Sequence, residues 1–152
     1  MNREIRKLRQ SFACAFRGVS SCLRTERNFR IHLTAACYVS MAALLAELDA
    51  VRCAVLCLCF AVMLASELLN TAVERLCDRQ TTSYDKLVRE AKDIAAAAVV
   101  VCAALCVAVG TLFFFWEGAA FRVSGVLAAH RWAALPLAAS LPAAWWFIFR
   151  FH

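Results

Sequence analysis

Long apolar runs broken by short polar clusters set the pattern of this chain. Four runs, at roughly 31–48, 53–76, 94–116 and 132–149, approach the ~20 residues that a helix needs to cross a bilayer. Ahead of them, Ile5, Leu8, Phe12, Phe16, Val19 and Leu23 recur every three or four residues with Arg and Lys between. That spacing predicts an amphipathic helix lying in the membrane interface. The segment lacks the apolar core and small-residue cleavage site of a signal peptide. The expected fold is therefore an all-α integral membrane protein: an interfacial N-terminal helix, three transmembrane helices and an extra C-terminal one. Residues 117–131 read as a mixed connecting stretch, and residues 77–92 as a polar loop.

The second run ends in Glu67-Leu68-Leu69-Asn70-Thr71-Ala72-Val73-Glu74-Arg75-Leu76-Cys77-Asp78. On a helix, Glu67, Asn70, Glu74 and Asp78 fall within about 80° of one another. Carboxylates are costly at membrane depth, so a row of them needs a cation, a metal or protein donors as partner. A polar seam gluing helices together is the bland explanation. A metal–phosphate site suits four acceptors in register better.

Composition narrows the class. Hydrophobic residues make up 63% of the 152 residues, against the 45–50% or so usual for soluble domains. The net charge of +6 is concentrated at the N-terminus, which suits anionic lipid, while no groove-reading motif or aromatic platform suggests nucleic acid. Basic residues flank the N-terminus and residues 77–92, which places both in the cytoplasm. The nine cysteines lie mostly in apolar runs, where they act as small hydrophobes; no C-x-x-C pair suggests zinc. None of the four glycines sits in a phosphate-cradling loop, so any nucleotide must be held by another device.

Three blocks carry a resemblance. Glu26-Arg27-Asn28-Phe29-Arg30-Ile31-His32, the Glu67–Asp78 segment and Ala91-Lys92-Asp93, in this order, resemble the signatures of the small bacterial membrane lipid kinases, the diacylglycerol kinase and undecaprenol kinase family. The first block is closest to the undecaprenol kinase branch. In the diacylglycerol kinase branch a Gly-Ser pair commonly follows the Lys-Asp; Ala95-Ala96 stand here instead. The resemblance covers about residues 11–116, giving a lipid kinase domain over 1–116 and an extension over 117–152.

The resemblance implies an ATP- and Mg2+-dependent kinase of a lipid alcohol, a homotrimer with sites at subunit interfaces, in the bacterial cytoplasmic membrane with its site facing the cytoplasm. It assigns the general base to Glu67 and the metal to Glu26 and Glu74. Both roles also follow from chemistry. Magnesium takes one or two carboxylates plus substrate phosphates, and Glu26 and Glu74 sit near the cytoplasmic ends of their helices. Glu67 lies deeper, where a lipid alcohol arrives and its proton must be accepted; burial opposes its ionisation and a dication favours it. Asn70 can orient Glu67 or a phosphate oxygen. Asp78 and Lys92 face the nucleotide side, Lys92 as a flexible point charge. Asp93 can also cap a helix start. Arg30 could pair with Glu26 or grip phosphate, and Arg17 could reach the nucleotide or snorkel. Undecaprenol is the first expected substrate and diacylglycerol the second. The competing class is a non-catalytic helical membrane protein or small transporter, against which the acids cluster at one end only and no midplane helix break is visible.

Overall fold

A computed structural model of the chain describes residues 3–80 and 85–150. Six α-helices follow one another: α1 (Arg3–Thr25), α2 (Arg27–Leu45), α3 (Ala50–Gln80), α4 (Lys86–Thr111), α5 (Ala119–Ala129) and α6 (Arg131–Arg150). A π-helical turn, Leu112–Trp116, continues α4. No strand is present among the described residues, as the patterning requires.

Helix α1 keeps its apolar stripe uncovered: Leu8, Phe12 and Phe16 are exposed, and only Cys22 is buried. Such a stripe finds its partner in lipid rather than in protein. The residues 50–79 of α3 and 86–116 of α4 with its π turn are long and apolar enough to cross a membrane. Helix α3 has 31 residues, about 46 Å at 1.5 Å per residue. The hydrocarbon core is only ~30 Å thick, so the end carrying Glu74 and Asp78 reaches the polar boundary. Helices α2 and α6 form over the other two expected runs, with 19 and 20 residues.

Local chemistry sets the breaks. Between α2 and α3, Glu47 takes a left-handed φ of 51°, and Leu48 N–H bonds back to the Ala43 carbonyl at 3.1 Å. Asp49 Oδ1 then accepts from the N–H groups of Val51 and Arg52 and starts α3. Leu48 folds onto a cluster of Ala43, Leu56 and Phe113 that holds α2, α3 and the π turn together. Helix α3 packs most extensively on α4 and next on α2.

Two stretches differ from the sequence reading. The polar loop expected over 77–92 is mostly helix, because α3 continues to Gln80 and α4 starts at Lys86. No Gly or Pro interrupts that stretch, and charged side chains beyond the apolar core can be solvated on a helix as well as on a loop. The cap of α4 is accordingly Asp85, whose Oδ1 accepts from Leu87 and Val88 N–H, and Asp93 lies inside the helix. Second, the mixed stretch over 117–131 contains α5. Gly118 at φ 72° turns the chain, and Arg122 bonds the Ala46 carbonyl at 2.9 Å, so one basic residue hid a short apolar helix.

Helices α5 and α6 fold back on α2. Tyr38 and Ser140 hydroxyls meet at 2.8 Å, and Arg52 pairs with Glu117. These contacts bind the C-terminal segment along the length of α2.

Candidate active site

The acid row of α3 meets α2 at one end of the bundle. Glu67 is 3% exposed, and its Oε1 lies 3.1 Å from His32 Nε2 on α2. The approach is close but misaligned, so that oxygen has no hydrogen bond among the described residues. Thr71, one turn on, is buried as well. Asn70 Nδ2 donates to Glu74 Oε1 at 2.9 Å, while Asn70 Oδ1 is buried without a donor. A buried acceptor left without a donor costs about 1–3 kcal/mol, and two on adjacent turns point to a ligand or a catalytic task.

Glu26, at the α1–α2 junction, shares this place: its charge and that of Glu74 both act on the Glu67 carboxylate. The two metal candidates, from separate elements, thus lie toward the same end of the bundle as the base candidate. Thr25 Oγ1 donates to Glu26 Oε1 at 2.8 Å. Arg75 of α3 reaches across to Ser21 and Thr25 at 2.9 and 2.7 Å and comes within 3.7 Å of Glu26. Arg75 was not singled out from the sequence; it fastens α1 to the outward side of the acid row.

Lys92 Nζ donates to Asp78 Oδ1 at 2.8 Å, and the Glu74 charge also acts on it. Both partners of that pair are solvent-accessible. Such an exposed pair is weak, so a phosphate can compete for the ammonium at little cost. Asp93 is exposed on α4 beside Lys92. Arg17 is exposed on α1, where its Nη2 donates to Cys14 Sγ at 3.1 Å.

Arg30 goes elsewhere. It is 3% exposed and donates to the carbonyls of Leu23 and Arg24, both at 3.0 Å, and of Ile148 at 3.1 Å. The guanidinium thus closes the C-terminal end of α1 and binds α6, instead of pairing with Glu26.

Oxygen donors suit magnesium rather than a softer metal. Among the described residues no three His, Cys, Asp or Glu side chains converge to cage an ion.

His32 is the neighbour to which the sequence alone assigned no role. Its signal was its place in the Glu-Arg-Asn-Phe-x-x-His block; that it meets Glu67 depends on how α2 docks on α3.

Comparison with known proteins shows the family. The model of the prokaryotic diacylglycerol kinase family matches residues 13–114. The undecaprenol kinase of Bacillus subtilis (strain 168) is 40% identical over 111 residues, 73% of this chain and 90% of that protein. A diacylglycerol kinase of Synechocystis sp. (strain ATCC 27184 / PCC 6803 / Kazusa) is 45% identical over 101 residues, 66% of this chain and 58% of that protein. No solved structure matches. The match spans α2, α3, α4 and most of α1, the elements that carry the acid row, and the chain belongs to the prokaryotic diacylglycerol kinase family and is a lipid kinase.

Proposed function

We propose that this protein transfers the γ-phosphoryl group of ATP to the hydroxyl of a membrane lipid alcohol, undecaprenol first, in a magnesium-dependent reaction at the cytoplasmic face of the bacterial membrane. The observation that carries it is the buried Glu67, with an oxygen lacking a donor, on the helix that also carries Glu74 and at the end of the bundle where Arg75 approaches Glu26.

Glu67 accepts the proton of the acceptor hydroxyl as that oxygen attacks phosphorus and the bond to the ADP leaving group breaks. Asn70 holds Glu74 in place through its amide. Glu26 and Glu74 would hold magnesium, which supplies charge neutralisation for the phosphates when bound. Lys92 releases Asp78 to meet the nucleotide, with Asp93 and Arg17 at the edge of that region. The catalytic segment is 1–116, and 117–152 is an extension whose α6 returns the C-terminus to the cytoplasm. The assembly is a homotrimer in which α4, none of whose residues is buried, faces lipid or a neighbouring copy.

The test is purified protein in detergent with labelled ATP, magnesium and either undecaprenol or diacylglycerol. Preferred turnover of undecaprenol is the expected result. The 45% identity to a diacylglycerol kinase favours diacylglycerol as the second reading, and higher turnover of that lipid would put it first. Absence of phosphorylation with both would remove the reading.

A further inference from the structure

Two apolar cavities line the bundle between α2 and the helices packed on it. The inner one, about 280 Å³, runs between α2, α3 and α4 from His32 past Ala36, Met63 and Cys106 to Val39 and Gly110. The outer one, about 540 Å³, starts at the same Val39 and Gly110 and continues to Val123 and Leu127 of α5. Val39 and Gly110 are the residues that border both.

The α2 positions along this path, from His32 through Ala35, Ala36, Val39 and Ala42, share one helix face. They span eleven residues, about 15 Å of helix from first to last. At the waist Gly110 leaves room, since a Cβ built there meets no atom within 4 Å. His32 stands at the inner end of this path, 3.1 Å from Glu67, and the other titratable side chains that line it are cysteines and Tyr38.

We propose that the two cavities are one groove for a single hydrocarbon chain of the acceptor alcohol, and that α5 forms its outer end. The inference rests on the lipid-kinase reading above. The occupant follows from where the groove starts. A chain whose hydroxyl sits against Glu67 has an apolar path leading away from it, past His32 and between Val39 and Gly110. Val39 of α2 and Gly110 of α4 border both cavities, so a single chain can run from one into the other. Helix α5 lies outside the segment shared with the family model, so one wall of the outer cavity, from Ala120 to Leu127, belongs to the extension of this chain. On this account the extension adds contact for long chains that the catalytic segment alone does not make.

The test uses the full-length protein, undecaprenol and geraniol, the latter short enough to end before the waist. Gly110→Leu fills the waist. It is expected to lower kcat/KM for undecaprenol by about tenfold or more while leaving geraniol within about twofold. Val123→Phe, at the far end and remote from Glu67, is expected to show the same selectivity to a smaller degree. Should Gly110→Leu lose both activities through misfolding, the Val123→Phe ratio decides. An unchanged undecaprenol-to-geraniol ratio in the folded variants overturns the groove while the kinase reading survives. A wild-type protein inactive on every lipid alcohol overturns both.

Discussion

Glu67 and His32 define what a single residue does here. A general base contributes about 10²–10⁴-fold to rate, so Glu67→Gln is expected to lose that much turnover while folding and binding nucleotide as before. Normal turnover in a folded Glu67→Gln protein would remove the base assignment. On the proposed mechanism His32 would position Glu67 once substrate is bound, since its Nε2 already stands 3.1 Å from the carboxylate. His32→Leu removes that atom at similar volume and is expected to lower kcat several-fold; His32→Gln, whose amide nitrogen can reach the same place, should restore much of it. If Leu and Gln behave alike, the imidazole only fills space. Glu74→Gln tests the metal role. It leaves the Asn70 amide an acceptor but removes the charge, so activity should require more magnesium or vanish. A magnesium titration identical to wild type would count against Glu74 as a ligand.

At the scale of elements, the junction of α1, α2 and α6 turns on Arg30. Its three carbonyl partners lie on two different helices, and charge-assisted hydrogen bonds contribute about 1.5–3 kcal/mol each at best. Arg30→Met should lower unfolding stability in detergent by about 2 kcal/mol or more, with little change in the KM for ATP. A raised KM at unchanged stability would restore Arg30 as a phosphate ligand. The contrast with the acid row shows what a sequence can carry. Glu67, Asn70, Glu74 and Asp78 share one helix, so their common face follows from 3.6-residue periodicity alone. The destination of Arg30, the meeting of His32 with Glu67 and the reach of Arg75 to α1 depend on docking between elements, which periodicity does not encode. Helix α5 escaped for another reason: Arg122 breaks an apolar run only 11 residues long, and its partner carbonyl at Ala46 lies 76 residues away in sequence.

For the whole molecule, orientation is the property that ties the site to its substrates. The charged groups fall into two sets. Glu26, Glu74, Asp78, Lys92 and Arg75 gather at one end with the end of α1, and Asp49, Arg52 and Glu117 at the other. Arg30 holds Ile148, so the end of α6 is on the same side as the acid row. On the proposed orientation, with the basic N-terminal helix in the cytoplasm, the acid row, the start of α4 and the end of α6 lie together inside and the α2–α3 turn outside. In a variant lacking the native cysteines, a cysteine placed at Asp49 should react with a membrane-impermeant thiol reagent added to intact cells. Cysteines at Lys86 or Arg150 should react only after lysis. Labelling of Lys86 from outside would reverse the orientation and leave the acid row facing a compartment without ATP. Labelling of both Asp49 and Arg150 from outside would mean that α6 is released from Arg30 in the membrane. In that case the extension could not hold α5 against Gly110, and the groove would end at its waist.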